Sequence, residues 1–221
     1  EPLRRAGGSY QAFVDQMAAD DAFDAPLTEA GVRQAAEAGA RAQELGLLLG
    51  VELAVASPLS RALDTADALL PPSGPDRGGP RRAVLEELRE INGLLLNAKR
   101  RPRAELEAAY PHWDFSAISP QDDLWTEELE SRESCAARGR QALGWIWEAD
   151  ESEVLVVAHG GLFSFLFGGL DPRVRADERL RERFGNCEVR SARLTAEGSG
   201  ESATFLLHSL AEGAGGDAAE K

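Results

Sequence analysis

The sequence predicts an α/β fold, a three-layer α/β/α sandwich around a mostly parallel central sheet, and three observations carry that prediction. Short apolar runs of strand length alternate with segments of helical period. The run Val154-Leu155-Val156-Val157-Ala158 is continuously apolar, as in parallel strands covered on both faces. Two of the strand candidates end in turns that open helices, Ser57-Pro58 and His159-Gly160-Gly161. With 221 residues, 43% hydrophobic and 28% charged, the chain can bury a core as one domain, which excludes disorder throughout.

The elements follow in order. Residues 1–22 read as an irregular segment, 23–210 as the domain and 211–221 as a disordered acidic tail. Thr28 is suited to cap a helix that carries Val32, Ala35, Ala36, Gly39 and Ala42 inward and stops near Gly46. A strand at 51–56 meets Ser57, read as a cap, and Pro58, read as the first residue of a helix that runs to Leu70. Residues 71–82 are loop by composition, 83–88 a short strand, 101–110 a short helix and 111–128 an irregular insertion holding Trp113 and Trp125. A long helix over 131–147 turns Cys135, Ala142, Leu143 and Ile146 inward, and the strand at 154–158 leads into a helix at 162–167. A charged helix at 177–184 and two strands, 188–194 and 203–210, complete the domain.

Thirty-eight acidic against 24 basic residues give a net charge of −14, whose field repels phosphate backbones and anionic membrane surfaces alike. Two cysteines and three histidines form neither a disulfide framework nor a ligand-spaced metal cluster, so a reducing, cytoplasmic setting is expected. No apolar stretch approaches the roughly 18 residues of a membrane span. Walker, Gly-x-Gly-x-x-Gly, His-Glu-x-x-His and Gly-x-Ser-x-Gly patterns are all absent, so no cofactor or metal is expected. The partner this leaves is a small molecule, with the oligomeric state unread.

In open α/β sheets ligands sit beyond the carboxyl ends of the strands, which singles out three residues. Arg61 lies one turn into the helix after Ser57, where free amides and a guanidinium could hold an anion; the competing reading is a surface arginine reaching water. His159 ends the apolar strand before two glycines that admit a ligand close to the backbone; the competing reading is a hydrogen-bonded core histidine. Glu90, after the strand at 83–88, could be a general acid or part of a solvated acidic edge with Glu86 and Glu87. His112 and His208 read as structural. The run Lys99-Arg100-Arg101 with Arg103 reads as a solvated loop rather than as substrate contact.

Taken together, Asp24-Ala25-Pro26-Leu27-Thr28-Glu29-Ala30-Gly31, Ser57-Pro58-Leu59-Ser60-Arg61-Ala62, Glu90 and Ala158-His159-Gly160-Gly161 resemble the histidine phosphatase superfamily and its phosphoglycerate mutase-like members. Asp123-Leu124-Trp125, Glu130-Ser131-Arg132-Glu133-Ser134 and the segment from Phe184 to Ser191 look like the plant and algal branch. The resemblance implies attack on phosphorus by one histidine, giving a phosphohistidine that water cleaves. By the same resemblance Arg61 clamps the phosphate, His159 is the second histidine and Glu90 protonates the leaving alkoxide. Ser57 and Gly160 are expected to join Arg61 in substrate binding.

The family's attacking histidine lies in an Arg-His-Gly-type motif at the end of a central first strand. Residues 1–22 contain no such strand, and no histidine precedes His112. The expectation is an N-terminally truncated phosphomonoester hydrolase or phosphotransferase, inactive and poorly stable as this chain. The alternative is a non-catalytic relative that binds phosphorylated ligands or a protein.

Overall fold

The computed structural model describes residues 22–70, 78–198 and 203–210, together with Ala12 and Asp15. Those two lie on helical backbone, unlike the irregular segment expected at 1–22; the acidic tail and residues 71–77 of the expected loop lie outside the described residues. In chain order come α1 (Glu29–Glu44), β1 (Leu53–Ala56), α2 (Ser60–Leu69), β2 (Arg81–Val84), α3 (Arg103–Ala109), α4 (Arg132–Trp147) and β3 (Val154–Val157). Then follow α5 (Gly160–Gly169), α6 (Pro172–Ala176), α7 (Glu178–Arg181), β4 (Ala192–Glu197) and β5 (Thr204–Ser209).

β1 pairs in parallel with both β2 and β3, in the order β2-β1-β3, while β4 and β5 form a separate antiparallel pair. One face of the parallel sheet packs Ala54, Ala56 and Val84 against Leu63 and Ala66 of α2, Leu106 of α3, and Trp113 and Phe115 of the insertion. The other packs Leu53, Val55 and Ala83 against Cys135 and Ala142 of α4 and Leu162 of α5. Helices on both faces make the three layers that the alternating pattern implied.

Several local expectations change. β1, bonded on both sides, is the fully buried strand; β3 pairs only with β1 among the described residues, and Val154, Leu155 and Val156 are half-buried. Thr28 caps α1 by accepting the Gly31 N–H at 3.1 Å, but Val32 and Ala36 face outward while Ala35, Gly39 and Ala42 face α2. Gly39 is required there, because a side chain would collide with the Ala68 carbonyl. The third strand is shifted to Arg81–Val84, and residues 86–88 form a 3-10 turn. The charged helix at 177–184 shortens to α7, capped by Asp177, and the hairpin strands run 192–197 and 204–209. The basic run is not a solvated loop throughout: Arg100 is 1% exposed.

Candidate functional site

Beyond Ala56 the Ser57 N–H donates to the Val157 carbonyl at 3.0 Å, so β1 and β3 stay paired until Ser57 and His159 leave them side by side. His159 Nε2 and Ser57 Oγ are 2.9 Å apart, with Ser57 fully buried and His159 7% exposed. Burial, then the charges of Arg61, Arg138 and Arg89, hold His159 well below its ordinary pKa of 6.5, so the ring is neutral near pH 7.

Ser57 is not the helix cap, nor Pro58 the first helical residue: α2 begins at Ser60. The cap comes from Asp24, 36 positions upstream, whose carboxylate accepts the Ser60 N–H at 2.9 Å and the Ser60 hydroxyl at 2.6 Å. Ser57 Oγ accepts the Leu59 N–H at 3.3 Å. The open amides expected at this helix start are thus partly taken by internal acceptors, and the anion-binding capacity that remains rests chiefly on Arg61.

The Arg61 guanidinium donates to the Asn97 carbonyl at 2.6 Å. Burial lowers its pKa, and Glu90 and Asp24 oppose that drop through their fields. No carboxylate is within ion-pair distance of it among the described residues. The other deeply placed arginines differ: Arg82 meets Asp67 at 2.8 Å, Arg89 meets Asp122 at 2.6 Å, Arg100 meets Glu86 at 2.6 Å and Arg138 meets Glu130 at 2.7 Å. A part-buried cation held by one carbonyl is electrostatically suited to an incoming anion.

Glu90 is brought to the start of α5. Its Oε1 accepts the Leu162 N–H at 3.1 Å and its own neighbour's, Ile91, at 2.9 Å, leaving Oε2 without a protein donor among the described residues. Gly161 is what admits the carboxylate, since a Cβ there would collide with Oε1. Gly160 carries no such constraint: a Cβ would touch only the Phe184 carbonyl, at 3.8 Å. The solvated acidic edge does not form, because Glu86 is buried against Arg89 and Arg100.

Sequence reasoning missed Arg138. Its guanidinium donates to the carbonyls of Glu87 at 2.8 Å, Arg89 at 2.9 Å and Glu90 at 3.2 Å, while Glu130 holds it from the other side. That fixes the turn carrying Glu90; an arginine in mid-helix gives no local sign of such a role. A cavity of about 500 Å³ beside this turn is lined by Glu86, Glu87, Asn92, Glu130 and Arg138, but not by Arg61, Ser57 or His159. His112 sits on Asp67 at 2.8 Å and His208 on β5 beside Thr195, as expected of structural histidines.

Past the ends of the parallel strands the structure gathers a neutral imidazole, a guanidinium held by one carbonyl and a carboxyl, in an α/β domain. The family model described as histidine phosphatase superfamily (branch 1) matches residues 14–201. Phosphoglycerate mutase-like protein 1 of Arabidopsis thaliana is 30% identical over 210 residues, covering 83% of this chain and 73% of that protein. A second Arabidopsis phosphoglycerate mutase-like protein is 31% identical over 207 residues, covering 81% and 76%. A mycobacterial glucosyl-3-phosphoglycerate phosphatase solved with VO3 is similar at 28% identity and a TM-score of 0.49, covering 83% of this chain and 86% of its own. The chain belongs to branch 1 of the histidine phosphatase superfamily, among its phosphoglycerate mutase-like members.

Proposed function

We propose that this chain binds the phosphoryl group of a small phosphorylated metabolite at Arg61 and His159, and holds Glu90 where it protonates the leaving oxygen once a nucleophile attacks phosphorus. The observation that carries the reading is Arg61, a deeply placed arginine without a carboxylate in contact among the described residues. Its charge, with those of Arg89 and Arg138 acting on His159, favours the charge spread over a phosphoryl group in transfer. The Oε2 oxygen of Glu90 supplies the proton that an alkoxide needs when the P–O bond breaks. Membership of the superfamily and the names of the relatives support phosphatase or mutase chemistry, and the phosphohistidine is the part of the proposal that rests on the sequence resemblance alone. His112 and His208 are engaged elsewhere, so the 221-residue chain is expected to bind phosphomonoesters without turning them over.

That same point favours a second reading, a non-catalytic relative that only binds phosphorylated ligands. Imidazole supplied in solution separates the two. Its nitrogen attacks phosphorus, the alkoxide leaves with the Glu90 proton, and the phosphoimidazole formed is hydrolysed by water. Phosphate release from glycerol phosphate is expected only with imidazole, and to be lost in Arg61→Met and Glu90→Gln. Binding of inorganic phosphate without any imidazole-dependent release supports the binder, and absence of both overturns the phosphoryl site.

A further inference from the structure

We propose that Ser57 is a positioning residue that fixes the tautomer of His159, placing its ring proton on Nδ1 and aiming that N–H at the anion. This rests on the reading of His159 as a phosphoryl-binding residue.

The argument is an account of hydrogens. A serine hydroxyl has one proton to give and two lone pairs. One lone pair of Ser57 Oγ takes the Leu59 N–H, and the remaining contact of this fully buried oxygen is His159 Nε2 at 2.9 Å. Had Nε2 carried the proton, Oγ would accept twice and its own hydrogen would have no acceptor among the described residues, an uncompensated cost in a buried place. The hydroxyl therefore donates to Nε2, and the neutral ring carries its hydrogen on Nδ1. Nδ1 has no protein partner among the described residues and is not among the buried orphaned atoms, so it is open to an incoming acceptor. The backbone makes the arrangement rigid, because the Ser57 N–H is tied to the Val157 carbonyl two residues before His159. Ser57 thus has a different task from the direct substrate contact expected of it.

The charged groups around His159 make the neutral tautomer matter. Arg61 on α2, Arg89 and Glu90 from the turn after β2, and Arg138 on α4 surround it, and the three guanidiniums oppose a fourth cation. A neutral ring has one N–H to offer, and Ser57 decides which.

Long-range proton–nitrogen NMR of the 15N-labelled chain tests this, with His112→Gln and His208→Gln variants assigning the three histidines. At neutral pH wild type is expected to show His159 protonated on Nδ1 and bare on Nε2. Ser57→Thr keeps that pattern; Ser57→Ala loses it and raises the His159 pKa, since a donor to the neutral ring is gone. Titrated with inorganic phosphate, Ser57→Ala is expected to bind about tenfold more weakly at neutral pH. The deficit shrinks as acid protonates both nitrogens, a pH dependence that a purely structural defect lacks. A His159 protonated on Nε2 in wild type, or a tautomer unchanged in Ser57→Ala, overturns the proposal. The expected tautomer with no response of His159 to phosphate instead overturns the phosphoryl reading and leaves the role of Ser57 standing.

Discussion

Two adjacent glycines that look equivalent in sequence carry different burdens. Gly161 leaves room for the Glu90 carboxylate on the Leu162 N–H, whereas a Cβ at Gly160 would make only an ordinary contact with the Phe184 carbonyl. Gly161→Ala is expected to destabilise the domain by about 1 kcal/mol, the lost charged hydrogen bond less the helix-propensity gain, while Gly160→Ala is neutral within about 0.5 kcal/mol. Equilibrium urea unfolding of the two variants checks this; equal effects would deny Glu90 its seat at α5. The Ser57-Pro58 turn was legible as a strand end and helix start, because that signal is local. The identity of the cap was not, because Asp24 reaches Ser60 from 36 positions away and competes with Ser57 only in three dimensions.

At the scale of elements, the segment after β2 is fastened to the insertion by buried ion pairs. Arg89 and Asp122 meet through two hydrogen bonds of 2.6 and 2.8 Å with side chains 1% and 4% exposed, and the Arg100 N–H adds a bond of 2.9 Å to Asp122. Asp122→Ala leaves the buried Arg89 guanidinium with only the longer carboxylate contact, to Glu86 at 3.4 Å, and is expected to cost about 3 kcal/mol in chemical denaturation. A cost under about 1 kcal/mol would show that water or another carboxylate replaces Asp122. Gly93, at φ +79, passes so close to the Glu128 carbonyl that any side chain would collide with backbone, so Gly93→Ala is expected to loosen the same junction by about 2 kcal/mol or more. This is why the basic run misled: Lys99 and Arg101 keep contact with solvent, but Arg100 finds Glu86 and Ser119, partners that no charge pattern along the chain discloses. The helices α1, α2 and α4 were legible from their period, and α1 also from its Thr28 cap, whereas β2 was displaced because Leu85 and Leu88 carry its apolar run into the turn at 86–88 without strand geometry.

Over the whole molecule, the alternation of strands and helices was enough to read the layers, and the strand-end rule singled out Arg61, Glu90 and His159 as the residues that carry the proposal. The acid response of stability follows from His159, Asp122 and Glu130. His159 titrates lower folded than unfolded, so the unfolded chain binds more protons as pH falls below about 6.5, and stability drops. Burial alone would raise Asp122 and Glu130, but Arg89 and Arg138 outweigh it and hold both low, so their contribution is lost further down, below about pH 4.5. Asp24, raised by burial, acts in the opposite sense, as its proton is released more readily from the unfolded chain above pH 3.8. Melting temperature is therefore expected to fall between pH 7 and 5, and His159→Gln to flatten that part of the profile; an unchanged slope would mean His159 is not buried neutral. The most direct test of the phosphoryl site is a calorimetric titration of the chain with inorganic phosphate at pH 7, alongside Arg61→Met. The account expects a single saturable site weakened at least about tenfold in the variant. Identical isotherms for the two folded proteins, or no binding to wild type, would contradict it.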